Sequence, residues 1–229
     1  MPITPAPVLT RPWVVPLLLA AIPVAATHLA LWLSVSAGHV PACLPYLEGC
    51  TSISRAARHG LGNQLFRLLM LPAATLLWLN WELARDWLRL AHPDPRAGAS
   101  LRVLGVVCAV ALAVYATFLG SEGEVYRWLR RHGVTWYFAA NFLAQLVFVY
   151  RLRQVRPRRI ARAMLALCAA MLAMGLVNVA GTALLSDAGL KDRLENVLEW
   201  NLGLFSTIWF VLLAVLWRRD GYTLVARRQ

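Results

Sequence analysis

The sequence is short of charge, and above all of negative charge. Of its 229 residues only 15% are charged, with 11 Asp and Glu against 23 Lys and Arg, while 59% are hydrophobic. This composition and a mean hydropathy of +0.57 exclude an ordinary water-soluble domain, which needs more charged side chains to cover its surface. A net charge of +12 is common in nucleic-acid-binding proteins, but here the basic residues lie between long apolar runs. We therefore expect no nucleic-acid partner and a membrane lipid instead.

Cysteine and histidine are also scarce. Four cysteines at no metal-like spacing exclude a zinc framework and leave at most two disulfides. The five histidines form no His-x-x-x-His or His-Glu-x-x-His pair, so we expect no metal and no cofactor. Cys43 and Cys50 can close a small loop if they face an oxidising compartment, and two free thiols are the alternative.

Long apolar runs are what the sequence has in abundance. A membrane-spanning helix needs about 20 mostly apolar residues, because hydrocarbon offers no partners to exposed backbone N–H and C=O groups. Six stretches meet this requirement, and the alternating pattern of membrane strands is absent. The sequence therefore predicts an all-α, polytopic bundle with a single transmembrane domain over residues 1–229. Its six helices are expected at about 13–36, 65–83, 101–119, 134–150, 160–185 and 197–217.

The placement of arginine predicts the orientation. If both termini are cytoplasmic, that side carries 15 of the 23 basic residues and the other side carries 8, as the positive-inside rule requires. The run from Arg151 to Arg162 then anchors the topology, and an anionic-lipid site is its alternative interpretation. A cleaved signal peptide is an alternative for the first apolar run, which ends in Ser-Val-Ser-Ala. That run is longer than an ordinary signal-peptide core, so we expect an uncleaved first helix.

The longest non-cytoplasmic loop, residues 37–64, carries the two cysteines and the segment from Ser52 to Arg55. Neither Ser52 nor Ser54 lies in a Gly-x-Ser-x-Gly elbow or a Ser-x-x-Lys motif. One interpretation of these hydroxyls is a cap on a helix turn, since Ser accepts bonds from free backbone N–H groups. The other is a site over the mouth of the bundle.

Ionisable side chains within the predicted helices are informative, since their burial is costly unless they pair or face a wet cavity. Arg67 lies about 6 to 9 Å into the second helix, and Asn63 shares its face. On the sixth helix, Asp192, Glu195 and Glu199 form one acidic stripe. We expect Arg67 and Glu199 to pair across a cavity that opens to the outer leaflet. A purely structural ion pair is the alternative.

Polar residues of the fourth and fifth helices complete the set. His132 begins the fourth helix on the same side, and a His beside a carboxylate suits general acid–base work because its ordinary pKa is about 6.5. Asn141 and Gln145 lie one turn apart, and Asn178 lies in the fifth helix. We expect these amides to join helices by hydrogen bonds, with a polar conduction path as the alternative.

Four short motifs, distributed over most of the chain, together carry a family resemblance. They are Pro41 and Cys43 with Ser52-Ile-Ser54, then Phe66-Arg67, then Arg131-His-Gly-Val-Thr-Trp-Tyr-Phe138, and finally Glu199-Trp200. This set resembles the FRAG/DRAM/Sfk family of six-helix membrane proteins, and within it the branch that remodels the lipid part of GPI anchors. The resemblance implies a lipid-related role at the lumenal face, with Ser54, Arg67, His132 and Glu199 as site residues. The family also contains scaffolds, so the resemblance leaves catalysis open.

The leading hypothesis is a multi-pass membrane protein that binds, and remodels, a phospholipid or glycolipid of the non-cytoplasmic leaflet. The abundant Arg and Ala suggest a GC-rich bacterial genome, where GPI anchors are not expected, so we predict the bacterial inner membrane and another lipid. The alternatives are a non-catalytic lipid-binding scaffold with a membrane-protein partner and, third, a small transporter. The predicted catalytic residues are His132, Glu199 and Ser54, and the predicted substrate-binding residues are Arg67, Asn63, Ser52, Arg55 and Glu195.

Overall fold

Helices make up almost the whole structure, a computed structural model that describes residues 8–94, 96–155 and 159–226. Apart from two three-residue strands, every described element is helical, as predicted. The helices are α1 (Val14–Ser36), α2 (Pro45–Glu48), α3 (Ile53–Ala56), α4 (Gly60–Ala91), α5 (Ala99–Phe118), α6 (Glu124–Val155), α7 (Arg159–Leu184) and α8 (Ala188–Arg219).

The six long helices occupy the six predicted positions, and several run beyond the predicted bounds. Five of them, α1, α5, α6, α7 and α8, are long and apolar enough to cross a membrane, which indicates a multi-pass integral membrane protein. The remaining one, α4, is polar at both ends, where it carries Arg67, Glu82 and Arg85. A sixth span therefore stays a prediction.

The long helices form a ring in the order α1, α4, α5, α6, α7, α8 and back to α1. Large side chains fill its middle, among them Trp81, Trp209 and Phe148, whose rings contact one another. Along the ring, α6 and α7 share the least contact of any neighbouring pair. After Met171, α7 has no buried residue, so the second half of this helix lies at the edge of the bundle.

Both ends of the described chain meet at one end of the ring. Strand β1 (Val8–Thr10) pairs antiparallel with β2 (Leu224–Ala226), which places the segments before α1 and after α8 side by side. An even number of long helices that alternate in direction places both termini at the same end of the bundle. We call this the terminal end and the opposite one, capped by residues 37–59, the loop end. The cytoplasmic assignment of the terminal end stays a prediction, and Arg156 and Arg158 of the basic run lie outside the described residues.

Candidate functional site

The loop that caps the bundle is bound to α8 by its backbone carbonyls. Nδ2 of Asn196 donates to O of Gly49 at 2.8 Å, and Nε1 of Trp200 donates to O of Thr51 at 2.9 Å. A third donor, Asn201, reaches the loop at Tyr46 over 3.0 Å. Because positions four apart share one face of a helix, α8 presents these donors together. The loop is therefore fixed over the bundle mouth.

Three local devices give the loop its shape. Cys43 and Cys50 form a disulfide around α2. Gly49 ends α2 with φ of 62°, in the left-handed region that favours glycine. Ser52 caps α3, where its side chain accepts from the backbone N–H of Arg55 at 3.0 Å. Together these turns place α3 directly above the interior of the bundle.

An internal cavity of about 60 Å³ lies beneath α3, large enough for a few water molecules or a few methylene groups. Its walls come from α1, α3, α4, α5, α6 and α8, and most of its lining is apolar. The lining residues are Leu19, Pro23, Thr27, Ile53, Phe66, Met70, Leu112, Tyr115, Val134, Tyr137, Phe138, Glu199, Gly203, Ser206, Thr207 and Phe210. An apolar pocket with few polar groups is the usual form of a small-molecule or lipid site.

Two hydroxyls and one carboxylate form the polar part of this cavity. The Ser54 Oγ and Tyr115 Oη atoms are 2.9 Å apart in a hydrogen bond that joins α3 to α5. The half-buried Glu199 lines the cavity with Tyr115, and the backbone N–H groups of Ile53 and Ser54 face its carboxylate. A carboxylate held by the start of a helix turn beside two hydroxyls can accept a proton or orient a ligand hydroxyl.

Three arginines surround this polar end. Arg58 is half-buried, its Nε has no hydrogen-bond partner, and burial together with the charges of Arg130 and Arg55 lowers its pKa. A guanidinium stays protonated in proteins, so Arg58 keeps a charge that its surroundings disfavour. Both Arg58 and Arg130 lie within electrostatic reach of Tyr115. This arrangement favours an additional anion.

The charges at the loop end do not balance. Arg55 pairs with Asp192 and also donates to Oδ1 of Asn196 at 3.1 Å. Arg58 and Arg130 have no carboxylate within 4.0 Å among the described residues. Glu199 is the one acidic group that lines the cavity, and it forms an ion pair with neither arginine. A phosphate or another anion would provide both guanidinium groups with a partner.

The predicted pair of Arg67 and Glu199 does not form in the described structure. On α4, Phe66 and Met70 face the cavity, and the next residue after Phe66 is rotated by about 100° around the helix axis. Asn63 joins three segments of the chain, because its Nδ2 donates to the carbonyl oxygens of Ala57 and Leu119, both at 2.9 Å.

His132 does not meet Glu199 either. It stacks on Trp128 with 4.2 Å between ring centroids, and its Nδ1 lies 2.9 Å from the carbonyl oxygen of Trp128. With Trp136 it lines a separate groove between α5 and α6. The cavity side of α6 is formed by other positions, so helical phase separates this histidine from the carboxylate.

The acidic stripe of α8 divides among three surroundings. Asp192 pairs with Arg55, and Glu195 is exposed, 3.5 Å from the Thr182 hydroxyl of α7. Of the stripe, Glu199 alone lines the cavity. The Ser52 hydroxyl accepts the capping hydrogen bond from the backbone N–H of Arg55. The predicted residues that the structure brings together are therefore Ser54 and Glu199, with Arg55 beside them.

Sequence reasoning missed Tyr115, Arg58 and Arg130. Tyr115 is the one hydroxyl-bearing aromatic residue in α5, and such an isolated polar group in an apolar span was the available signal. Arg58 follows Arg55 by three positions and Arg130 precedes His132 by two. The sequence marks both only as basic residues of the non-cytoplasmic side, because no local pattern shows that Arg58, after α3, and Arg130, on α6, lie within electrostatic reach of Tyr115.

No protein-family model, curated protein or solved structure matches this chain. The resemblance to the FRAG/DRAM/Sfk family therefore stays a prediction.

Proposed function

We propose that this multi-pass membrane protein binds a phospholipid or phosphate-bearing glycolipid of the non-cytoplasmic leaflet at its loop end. The observation that carries the proposal is Arg58, a half-buried cation with an unpartnered Nε beside Arg130. Guanidinium groups bind phosphate through paired charge-assisted hydrogen bonds. The apolar cavity below would take part of an acyl chain. In this proposal the chain has six spans, with both termini cytoplasmic, in a bacterial inner membrane.

The test compares two fluorescent lipids with identical chains, phosphatidic acid and diacylglycerol, added to the purified protein in phosphatidylcholine nanodiscs. We expect preferential binding of phosphatidic acid, and Arg58→Gln should weaken it about tenfold to a hundredfold, because a hydrogen bond to a charged group contributes about 1.5 to 3 kcal/mol. Arg131→Gln, an exposed neighbour of Arg130, is the matched control and should bind like the parent. Equal binding of both lipids, or an unchanged Arg58→Gln, would contradict the proposal.

A free phosphate has the same chemistry as the headgroup, and competition separates the two. If glycerol 3-phosphate displaced the lipid at an equal molar concentration, the cavity would contribute nothing to the affinity. The assignment of the ligand as a lipid would then fail. We expect displacement only at a large excess, because the acyl chain adds apolar burial of about 0.8 kcal/mol for each methylene group.

Acyl-chain remodelling is the second proposal, favoured by the bond between Ser54 and Tyr115 in the cavity that Glu199 lines. Here Glu199 would accept the proton of a lipid hydroxyl as that hydroxyl attacks the acyl ester of a second lipid; the new ester bond forms as the old C–O bond breaks, and Glu199 returns the proton to the departing alcohol. The sequence predicts this role for His132 together with Glu199. Glu199→Gln should then keep lipid binding and abolish acyl exchange. Acyl exchange is measured by lipid mass spectrometry of a deletion strain complemented with each variant. An acyl profile unchanged by the deletion would instead favour the non-catalytic scaffold, which predicts a co-purifying membrane protein.

A further inference from the structure

A second polar group lies deep between α6 and α8. Nδ2 of Asn141 and Nε2 of Gln145 both donate to Oγ of Ser206, each at 3.1 Å. The two amide side chains belong to residues that are 2% and 0% exposed. Ser206 lies about 27 Å from the start of α8 and about 20 Å from its end, at 1.5 Å per residue. The cluster is therefore near the middle of the helix bundle.

This cluster leaves two acceptors unused. A serine hydroxyl has two lone pairs and one hydrogen, so it can accept from both amide nitrogens but could donate to only one amide oxygen. In the observed orientation of the two amides, both nitrogens donate to Ser206. It leaves Oδ1 of Asn141 and Oε1 of Gln145 buried without a hydrogen-bond partner among the described residues. Buried polar atoms of this kind are rare in proteins and require an explanation.

Both amides line a cavity of about 170 Å³ that adjoins the central one through Phe138 and Ser206. Its other walls are apolar and include Phe142 and Met171. The cavity lies where α6 and α7 have their limited contact and where the buried face of α7 ends. A molecule dissolved in the bilayer can therefore reach it sideways, between these two helices.

We propose that this cavity binds a membrane-dissolved molecule with a hydroxyl group on an apolar body. The hydroxyl would donate to one of the two amide oxygens and accept the remaining hydrogen of Ser206. A charged group is excluded by the cost of desolvation at this depth, and a pure hydrocarbon leaves both acceptors unpaired. The site uses other residues at another depth than the phosphate site, so it goes beyond the function proposed above.

The test uses two photoreactive probes with the same number of heavy atoms, a decanol with a mid-chain diazirine and the corresponding nonyl methyl ether. They differ in one hydrogen-bond donor. Each is added to the unmodified protein in phosphatidylcholine nanodiscs, and labelling of residues 138–145 and Met171 is quantified by peptide mass spectrometry. We expect the alcohol to label this region about tenfold more than the ether. Equal labelling by the two probes would overturn the proposal.

Variants localise the preference. Asn141→Leu and Gln145→Met should each reduce the ratio of alcohol to ether labelling, whereas Thr75→Val, at an exposed position of α4, should leave it unchanged. A ratio that stays the same in both cavity variants would show that the preference arises elsewhere and would also overturn the proposal. Arg58→Gln should not alter alcohol labelling, so failure here is distinct from failure of the phosphate site.

Discussion

Replacing Gly49 by Ala should release the capping loop from α8. A Cβ atom at this position would lie 2.1 Å from the carbonyl oxygen of Arg193, and 2.8 Å from its carbonyl carbon. Both obstructing atoms belong to the backbone of α8, which cannot turn aside as a side chain would. The loop must therefore move away by more than about 1 Å to reach ordinary contact distances.

The free-energy cost of that movement follows from the hydrogen bonds that it would break. It would lengthen the 2.8 Å bond from Asn196 to Gly49 and the 2.9 Å bond from Trp200 to Thr51 beyond hydrogen-bond range. Asn196 and Trp200 are 2% and 1% exposed, and each buried donor left without a partner costs about 1 to 3 kcal/mol. Beyond the strain of the left-handed backbone, the substitution should destabilise the docked loop by about 2 to 6 kcal/mol.

Gly38 provides a matched control for the backbone strain. Its φ of 73° lies in the same region as the 62° of Gly49, yet a Cβ there meets nothing within 4 Å. Both substitutions carry the left-handed penalty of about 1 to 2 kcal/mol, and only one meets an obstacle. The difference between Gly49→Ala and Gly38→Ala therefore isolates the docking of the loop.

Hydrogen exchange followed by mass spectrometry measures the effect. The amides of Ala56 and Ala57 donate to the carbonyl oxygens of Ser52 and Ile53, so we expect them to be protected while the loop is docked. Since each 1.4 kcal/mol changes the opening equilibrium tenfold, Gly49→Ala should raise their exchange at least about thirtyfold over Gly38→Ala. Equal exchange in the two variants would refute the argument that these backbone contacts fix the loop.

Two further predictions concern residues outside the cavity. Asn63→Asp should lower the free energy of unfolding by about 1 to 3 kcal/mol in thermal or denaturant unfolding, because a carboxylate cannot donate to the carbonyls of Ala57 and Leu119; Gln64→Glu, exposed next to it, should have little effect. Burial, with the charge of Asp86, raises the pKa of Tyr222 from 10.0 to about 12, so its neutral form is favoured in the fold. This stability is fully present below pH 10 and is lost as the pH rises towards 12. Between pH 9 and pH 11 the free energy of unfolding of Tyr222→Phe should therefore fall by about 1 kcal/mol less than that of the parent. Equal decreases in the two proteins would contradict the raised pKa of Tyr222.

The sequence predicted the long helices well because apolar length is a local property. Each of the six predicted stretches coincides with a long helix, and the main errors are at the ends. Helix α6 begins at Glu124 and α8 at Ala188, well before their apolar runs, because caps and loop contacts continue a helix into polar sequence. Asp187, for example, caps α8 by accepting from N of Leu190 at 2.6 Å.

The site was harder to predict because it depends on helical phase and on the order of helices in the ring. Position along the chain predicts similar depths for Arg67 and Glu199, but it carries no information about the direction of each side chain around its helix axis. Around the helix axis, Phe66 rather than Arg67 faces the cavity. Ser54 and Glu199 could be chosen from the sequence, but their partner Tyr115 could not, because its contact with Ser54 joins residues far apart in the chain.

The arrangement at the loop end also explains why a direct ion pair would make a poorer ligand site. A salt bridge between Glu199 and an arginine would satisfy both charges and leave nothing for a ligand to neutralise. Here the hydroxyls of Ser54 and Tyr115 bond to each other at 2.9 Å, and the charges of Glu199, Arg58 and Arg130 act on Tyr115 without a direct contact between them within 4.0 Å in the described structure. The carboxylate and the Arg58 guanidinium are thus not paired with each other, and among the described residues Arg130 donates only through Nη1, to the carbonyl oxygen of Ser121 at 3.3 Å. In the proposed function a phosphate would bind to the arginines, and the carboxylate would stay available for the proton transfer proposed for acyl exchange.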